Sequence, residues 1–444
     1  MAREYFGTDG IRGRVGSHPM TADFALRLAS AAAQVLAPNG GRVAIGKDTR
    51  VSGYMFEAAL EAGFVAAGMD VLLLGPLPTP GIAYMTQQLE ADVGVVISAS
   101  HNPYFDNGIK FFNADGAKLP DSIEEEIEAR LSEPAITRDS SSLGRAKRID
   151  SSREDYQRFC LSTVPRDFSL EGLKIVLDCS HGAAYKVAPR VMTALGAEIV
   201  PIGCSPNGKN INDGCGSTHT DLMSVTVKAV GADLGIAFDG DGDRVLMVDA
   251  EGHLIDGDQL LYVLAKAAMA DGSLSGPVVG TLMTNLGLER ALADLGIEFR
   301  RANVGDRYVM ALLNETGGKL GGETSGHLLC LDKTTTGDGL VSALQILRVM
   351  VQTGQSLTEL TSGMPRFPQT LVNVRTESSV DLEGSAQIQS AIRAAESKLA
   401  ERGRILVRAS GTEPVVRVMV EGENETEVVK LAEDLAGEIG RLTA

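Results

Sequence analysis

Three segments of this chain repeat one order of elements: a short strand entered through a glycine, a polar loop, a second strand and a glycine turn. The segments begin at Ala91, Ala232 and Gly317. This repeat constrains the fold most strongly, because related domains of one topology would each present a polar loop from an equivalent position. Chance similarity between strand–loop–strand patterns is the alternative, although all three loops have unusual chemistry.

Short β-rich runs alternate with longer helical patterns in the N-terminal part of the chain. Residues 41–48, 70–75 and 93–100 are typical of strands, whereas 53–69 and 79–89 have the pattern of helices. The apolar residues of 53–69 fall on one face of the predicted helix. Alternation of this kind predicts βαβ units and a mostly parallel sheet.

Breaks in this pattern divide the 444 residues into four predicted domains, and a hydrophobic content of 44% is sufficient to build full cores. A Ser-rich stretch at 132–154, the segment 248–258 and the two prolines within 363–370 mark the boundaries. After the last boundary the pattern changes to that of a small α+β domain. The predicted domains are residues 1–150, 151–253, 254–366 and 367–444.

The charge balance is acidic, since 58 Asp and Glu against 41 Lys and Arg give a formal net charge of −17. Such a chain is a poor non-specific nucleic-acid binder, so an anionic substrate would require a local basic site. No apolar run approaches the roughly 18 residues of a membrane span, and the opening residues lack the apolar core of a secretory signal. We therefore predict a cytoplasmic protein without nucleic-acid or membrane partners. The five scattered cysteines contain no C-x-x-C pair, which argues against a disulfide framework and a structural zinc site.

The strongest local signal is the loop DGDGDR, in which Asp239, Asp241 and Asp243 alternate with glycine. Carboxylates that can point the same way from a tight loop favour a hard cation, Mg²⁺ or Ca²⁺. An EF-hand would need Gly at the sixth position and Glu at the twelfth, where this chain has Arg244 and Ala250. Three ligands without the closing Glu leave the ion open to a phosphate. The alternative is a solvated acidic turn.

A second polar loop, at 98–103, closes a predicted strand with Ser98, Ser100, His101 and Asn102. Neighbouring serine and histidine residues rarely form a triad, and the absence of a G-x-S-x-G motif argues against acyl transfer. The chain also lacks a P-loop and a G-x-G-x-x-G fingerprint after a strand, which disfavours P-loop nucleotidases and Rossmann dehydrogenases. For the loop 98–103, a polar cap after the strand is an equally weighted alternative to a functional site.

Two later loops have weaker signals. Glu323 and His327, in the loop 322–327, suit the hydroxyls of a sugar, although an ordinary βα turn is an alternative. Arg408 and Arg417 lie on opposite sides of a predicted hairpin and could form a phosphate cradle. The alternative there is a polar hairpin with two exposed arginines.

Together these loops resemble the α-D-phosphohexomutase family, whose motifs occur in this order: GTDGIRG at 7–13, SASHNP at 98–103, DGDGDR at 239–244, GETSGH at 322–327 and RASGTEP at 408–414. Each motif alone is moderately specific, but five in order along nearly the whole chain are very specific. The resemblance implies an α/β fold: three related α/β domains with mixed sheets and a smaller C-terminal α+β domain around a central cleft.

The resemblance also implies that Ser100 carries a phosphoryl group in the active form. Asp239, Asp241 and Asp243 would hold Mg²⁺, with a phosphate oxygen on Ser100 as a further ligand. Phosphoserine adds about −1.5 to −2 charge beside three carboxylates, which a divalent cation makes tolerable. Arg244 would stand behind these ligands.

The remaining loops would bind the substrate in this family. Glu323, Ser325 and His327 would contact sugar hydroxyls. Asp306 replaces a histidine of some relatives, and a carboxylate suits the ammonium of an amino sugar. The non-reacting phosphate would be bound by the last loop, through Arg408, Ser410, Gly411, Thr412 and Arg417.

A base must accept the proton of the attacking hydroxyl, and the resemblance makes Lys110 the candidate. Burial beside Arg12 and the metal is expected to lower the pKa of Lys110 far enough for this role. Arg12 would lie near the phosphoserine. His101 could support the base, or it is a structural neighbour of the loop.

The implied activity moves a phosphate between O6 and O1 of a hexose, through a 1,6-bisphosphate that also serves as the primer. YFGTDGIRG, GETSGH and NVGDRYV at 303–309 favour the bacterial members that interconvert glucosamine 6-phosphate and glucosamine 1-phosphate for cell-wall precursors. The alternatives are members that act on mannose or glucose phosphates and a non-catalytic phosphosugar-binding protein. The oligomeric state stays open, a homodimer included.

Overall fold

The computed structural model describes residues 4–376, 381–409 and 415–443. Its strands form four sheets, of six, five, four and three strands, that follow one another along the chain. The first three are mixed parallel and antiparallel, and the last is a smaller antiparallel sheet. The predicted fold class is confirmed, whereas the domain limits at 150, 253 and 366 stay predictions.

The first sheet has the order β1-β5-β4-β2-β3-β6. Its strands are β1 (Ile11–Arg14), β2 (Gly41–Lys47), β3 (Met69–Pro76), β4 (Val93–Ile97), β5 (Asp106–Asn113) and β6 (Ala146–Arg148). The helices around it are α1 (Ala22–Leu36), α2 (Gly53–Ala66), α3 (Thr79–Gln88) and α4 (Asp121–Arg130). The Ser-rich stretch predicted as a boundary therefore contains β6, which pairs in parallel with β3 at the edge of the sheet.

The second sheet has the order β11-β10-β9-β7-β8 and the third has the order β13-β12-β14-β15. The strands of the second are β7 (Lys174–Asp178), β8 (Glu198–Ile202), β9 (Leu234–Phe238), β10 (Val245–Asp249) and β11 (Leu254–Ile255). Those of the third are β12 (Val278–Thr281), β13 (Phe299–Ala302), β14 (Leu320–Gly322) and β15 (Leu328–Cys330). The helices of this part are α5 (Ser152–Ser162), α6 (Val187–Ala194), α7 (Asp221–Val230), α8 (Gly257–Ala270), α9 (Leu286–Asp294), α10 (Asp306–Thr316), α11 (Gly339–Thr353) and α12 (Leu357–Thr361).

The three mixed sheets share one topology. In the first, β4 pairs in parallel with β2 and antiparallel with β5. The strands β9, between β7 and β10, and β14, between β12 and β15, repeat this pairing. Each central strand is fully buried, as expected where helices cover both faces of a sheet. The loops after β4, β9 and β14 are the three polar loops of the repeat, so they leave their sheets at equivalent positions.

The C-terminal sheet has the order β16-β18-β17 and is antiparallel throughout. Its strands are β16 (Gln369–Arg375), β17 (Gly403–Ala409) and β18 (Val415–Gly422), and its helices are α13 (Ala386–Leu399) and α14 (Glu425–Thr443). The two helices pack on one face, which accounts for the alternation of exposed and less exposed residues along β16. Within the described ranges, no helix combines the length and apolar content of a membrane-spanning segment.

A buried ion pair fastens the C-terminal sheet to the third domain. Arg404, on β17, donates to Glu421 on β18 at 2.7 Å and to the carbonyls of Leu282 and Thr284 at 2.8 and 2.7 Å. Glu421 is fully buried and also accepts from the Leu286 amide at 2.8 Å. Burial raises the pKa of Glu421 although Arg404 opposes this effect. Both partners thus bond across the junction.

Arg404→Met should destabilise this junction by about 3–5 kcal/mol, because it leaves a buried carboxylate uncompensated. The loss should be smaller at pH 5 than at pH 8. A raised folded-state pKa means that protonated Glu421 is favoured in the native protein, so stability falls as the pH rises through that pKa. Calorimetric unfolding of the variant at both pH values measures this.

The matched control is Arg402→Met, which removes the exposed pair of Arg402 with Glu427 at 2.8 Å. Solvent screens an exposed pair, so its loss should destabilise the protein far less than the loss of Arg404. Equal losses for the two variants would contradict the assignment of Arg404 as the fastening residue.

Candidate active site

Ser100 lies in the loop between β4 and β5 and is 1% exposed. Its backbone has a φ of 51°, in the left-handed region that non-glycine residues rarely adopt. Its amide donates to the Ser98 hydroxyl at 2.9 Å, and its own hydroxyl donates to Oδ2 of Asp239 at 2.5 Å. One short hydrogen bond therefore joins the loop 98–103 to the loop 239–244.

Asp239, Asp241 and Asp243 follow β9 and are all buried. One carboxylate oxygen from each lies within 4.8 Å of the others. The Oδ1 atoms of Asp241 and Asp243 are buried and have no hydrogen-bond partner among the described residues. Buried carboxylate oxygens without donors are costly unless a cation or a proton satisfies them. The set fits a hard divalent cation.

The electrostatics of the loop support the same conclusion. Burial, and then the charges of Asp243 and Asp241, raise the pKa of Asp239 well above its ordinary range. Burial also opposes ionisation of Asp243, but His327, Lys110 and Arg244 outweigh it and lower the pKa of Asp243. The neighbours of Asp243 therefore favour its charged form, whereas the surroundings of Asp239 favour its protonated form.

Lys110, on β5, bridges two loops. Its Nζ lies 2.8 Å from Asp241, 2.8 Å from Asp9 and 4.0 Å from Asp243. Burial alone would lower the pKa of Lys110, but Asp241 and Asp9 outweigh it and raise that pKa. The side chains around Lys110 therefore act against the lowered pKa that we expected from burial beside Arg12.

Asp9 and Lys118 are two charged residues that the sequence analysis missed. Asp9 pairs with Lys110 and Arg12 through one oxygen and with Lys118, at 2.5 Å, through the other. Lys118 also pairs with Asp306 at the start of α10, in the third domain. Asp9 stands within the GTDGIRG motif, which singled out the region, but no local pattern marks Lys118. These pairs connect the first and third domains beside residues 239–244, the candidate metal loop.

His327 faces the metal loop as well as the third domain. Its Nδ1 lies 3.6 Å from Asp243 and its Nε2 lies 3.4 Å from Asp306. Burial opposes a positive charge on His327, but Asp243 and Asp306 outweigh it and raise the pKa of the imidazole. The Ser325 hydroxyl, nearby in sequence, is buried without a hydrogen-bond partner in the described part of the chain, which leaves it available to a ligand.

A cavity of about 430 Å³ opens beside these residues. Arg12, His101, Arg244, Asp306 and Glu323 line it, together with Asp243, His327 and the glycine-rich N-terminal segment. Burial, and then Arg244 and Arg12, lower the pKa of His101 to about 4, so this imidazole is neutral at pH 7. The two arginines are thus the local basic site that an acidic chain requires for an anionic ligand.

The fourth predicted loop lies partly outside the described residues. Ser410, Gly411 and Thr412 all fall between 409 and 415 and are not described. Arg408 and Arg417 are register partners on β17 and β18. Burial and the neighbouring Arg417 lower the pKa of Arg408, as expected for two cations that face the same side of a sheet. Neither arginine lines the 430 Å³ cavity as the described residues form it.

Four models of one family match the chain in consecutive pieces. Their descriptions are phosphoglucomutase/phosphomannomutase, alpha/beta/alpha domain I, for residues 3–136, domain II for 155–252, domain III for 256–367 and the C-terminal domain for 371–438. Together they account for most of the sequence, and each carries one of the polar loops.

Relatives and solved structures agree. A phosphoglucosamine mutase of Aeromonas hydrophila is 56% identical over 440 residues, which cover 99% of each chain. A phosphoglucomutase/phosphomannomutase family protein of Burkholderia thailandensis superposes with a TM-score of 0.81 at 26% identity, covering 98% of this chain and 97% of the other. The N-acetylphosphoglucosamine mutase of Aspergillus fumigatus, solved with GlcNAc-6P and magnesium, shares the fold with a TM-score of 0.72 at 17% identity, covering 99% and 96%.

Asp239→Asn should weaken Mn²⁺ binding at least about tenfold, because ligand charge sets the affinity for hard divalent cations. Isothermal titration with Mn²⁺ measures the change. The matched control is Asp249→Asn. Asp249, Glu251 and His253 form a second set of side chains whose ligand atoms lie close enough to hold a metal ion. Asp249 already accepts from the amides of those two residues at 3.1 and 2.8 Å, so its replacement should leave the Mn²⁺ affinity unchanged. Equal effects of the two changes would place the cation elsewhere.

Proposed function

The chain belongs to the phosphoglucomutase/phosphomannomutase family, and we propose that it interconverts glucosamine 6-phosphate and glucosamine 1-phosphate through a phosphorylated Ser100. The observation that carries this proposal is the 2.5 Å hydrogen bond from the buried Ser100 hydroxyl to Asp239, one of three clustered carboxylates suited to a divalent cation. The 56% identity to a phosphoglucosamine mutase over 99% of both chains supports the amino sugar as the substrate.

The residues present fit Mg²⁺ as the cation. Asp239, Asp241 and Asp243 would hold it, with an oxygen of phosphorylated Ser100 as a further ligand. When bound, Mg²⁺ neutralises charge on the transferring phosphoryl group. Arg244, whose backbone amide donates to Asp239 at 3.2 Å, supports the loop from behind.

The reaction divides into two phosphoryl transfers. In the first, O1 or O6 of the sugar phosphate attacks the phosphorus of phosphoserine, the P–O bond to Ser100 breaks, and a 1,6-bisphosphate forms. The bisphosphate then turns over in the cavity and returns its other phosphate to Ser100. A hexosamine or hexose 1,6-bisphosphate serves as the primer that phosphorylates Ser100 before the first turnover.

Lys110 is our candidate for the acceptor of the hydroxyl proton. Its three carboxylate neighbours, two of which belong to the loop 239–244, hold its Nζ in place. A cation bound by Asp241 would compete with Lys110 for that carboxylate and weaken the interaction that raises its pKa. Arg12, which lines the cavity and pairs with Asp9, supplies positive charge for the phosphate.

The sugar is bound by the third domain and its distal phosphate by the fourth. Glu323 accepts from the Gly305 amide at 3.2 Å and lines the cavity. The Ser325 hydroxyl has no hydrogen-bond partner among the described residues and offers a further hydrogen bond. His327 contributes its imidazole from between Asp243 and Asp306. We assign the distal phosphate to the loop 408–414 and Arg417.

Ser100→Ala should lower turnover of glucosamine 6-phosphate at least about 10³-fold, because it removes the group that accepts and returns the phosphate. A coupled assay for glucosamine 1-phosphate, with Mg²⁺ and glucose 1,6-bisphosphate as the primer, measures this. Intact mass should show a gain of one phosphate on the wild type and none on the variant. Ser132→Ala, which removes an exposed hydroxyl that bonds only the Ala129 carbonyl among the described residues, is the matched control.

The same assay separates the candidate functions. A wild-type preference for mannose or glucose 6-phosphate would keep the mechanism and replace the substrate. Absence of turnover on all three sugars by a phosphorylated protein would favour a phosphosugar-binding protein instead.

Asp306→Asn should lower kcat/KM for glucosamine 6-phosphate about tenfold more than for glucose 6-phosphate, since a carboxylate near the 2-position attracts an ammonium and not a hydroxyl. Both rates are measured in the same coupled assay. Asp121→Asn, which removes a carboxylate from the neighbouring Arg307, is the control and should affect the two sugars equally. An equal loss on both sugars for Asp306→Asn would reject its part in specificity.

A further inference from the structure

The carbonyl oxygens of Ser100 and Asn102 are each held by two side-chain donors. Arg50 Nη2 donates to them at 2.9 and 2.8 Å. Asn212 Nδ2 donates to the same two oxygens at 2.9 and 3.0 Å. Arg50 and Asn212 therefore hold residues 98–103, the phosphoserine loop of the proposed function, from two sides, and we call this pair of donors the clamp. No sequence motif described above includes either residue.

The Arg50 side of the clamp belongs to the first domain. Arg50 follows β2 and its side chain is fully buried. Its Nε donates to Asp48 at 2.8 Å, and its Nη1 donates to the carbonyls of Pro103 and Asp106. Together with the bonds to the Ser100 and Asn102 carbonyls, all five guanidinium N–H groups have acceptors. Arg50 thus fixes the loop to its own sheet.

The Asn212 side of the clamp comes from the second domain. Asn212 lies in the loop between β8 and α7, and its amide donates to the Ser180 carbonyl at 2.9 Å. It is 7% exposed and has a φ of 59°. Its side-chain nitrogen donates both of its hydrogens to the loop of Ser100, which belongs to the first domain.

The metal loop packs directly on this contact. A Cβ added at Gly240 would lie 2.5 Å from the Ser100 carbonyl oxygen and 2.8 Å from Asn212 Nδ2. Gly240 separates Asp239 from Asp241, so the loop that carries the carboxylates touches both the acceptor and the donor of the clamp. A displacement of Ser100 would therefore change its separation from Asp239.

Resting on the proposed function, we propose that Asn212 is a positioning residue for phosphoryl transfer, which sets the phosphoserine loop in register with the metal loop. Ser100 has a left-handed backbone that is disfavoured for its residue type and persists only where the surroundings over-determine it. Arg50 provides this constraint within the first domain. Asn212 belongs to the second domain, so its hydrogen bonds fix the position of Ser100 relative to the domain that holds the aspartates. Misplacement of reacting groups by about 1 Å can cost about 10²-fold in rate.

The test uses full-length Asn212→Ala, which removes the donor, and Asn212→Asp, which keeps the shape and replaces the donor by an acceptor. Both should lower kcat by about 10- to 100-fold with KM for glucosamine 6-phosphate within about twofold of the wild type, because the sugar and distal phosphate contacts are unchanged. The rate at which α-D-glucose 1,6-bisphosphate phosphorylates Ser100, followed by intact mass, should fall in parallel. The melting temperature of Asn212→Ala should stay close to that of the wild type, whereas Asn212→Asp should melt lower because its buried carboxylate faces two carbonyl oxygens.

Asn210→Ala is the matched control in the same loop. The Asn210 side chain accepts from the Asn207 amide and donates to the Ser205 carbonyl, and it forms no hydrogen bond with the loop of Ser100 in the described structure. Both rates should therefore be unchanged. The proposal is overturned if the Asn212 variants keep both rates within about twofold. It is also overturned if both fail to fold, or if KM alone changes, since the contact would then be structural or would act on substrate binding.

These outcomes are separable from failure of the proposed function. If the wild type acts on a neutral sugar, the rate of Ser100 phosphorylation and the kcat on that sugar still test Asn212. If the wild type neither turns over any sugar nor gains a phosphate on Ser100, both proposals are rejected together.

Discussion

Buried negative charge opposite one serine hydroxyl is the constraint on which the site depends. Asp239, Asp241 and Asp243 cluster within 4.8 Å, and phosphorylation of Ser100 would add further negative charge. The cations that offset it come from different domains, since Lys110 belongs to the first and His327 to the third. Charge compensation therefore requires that the sheets be assembled. The chain, of net charge −17, brings Arg12 and Arg244 to a cavity that Asp9, Asp306 and Glu323 also line.

The shared topology explains how loops so distant in sequence converge. In each mixed sheet the polar loop connects a central buried strand to an antiparallel neighbour, β4 to β5, β9 to β10 and β14 to β15. A loop at this place leaves every copy at an equivalent position, and residues of the loops 98–103, 239–244 and 322–327 line one cavity. Diversity of chemistry on one repeated scaffold requires changes only in the loops.

The sequence predicted those parts of the site whose chemistry lies in consecutive residues. DGDGDR and SASHNP identified Asp239 and Ser100 because each loop carries its signal locally, and period and alternation located β2, β4 and β9. Lys118 and Asn212 escaped, because their partners lie in other domains: 188 positions separate Lys118 from Asp306 and 112 separate Asn212 from Ser100. The carboxylates that raise the pKa of Lys110 in the absence of a bound cation were not predicted for the same reason, since only the fold brings Asp9 and Asp241 to Lys110.

The fourth domain is held at one end of β17 and presents its candidate phosphate ligand towards the other. Arg404 bonds the third domain at Leu282 and Thr284, and Arg408 stands four residues further, about 13 Å along an extended strand. The predicted boundary segment 363–370 is held at Phe367, whose amide donates to the side chain of Asn285 and whose carbonyl accepts from it. The contacts at Phe367 and Arg404 therefore both lie at the junction with the third domain, whereas Arg408 stands at the other end of β17.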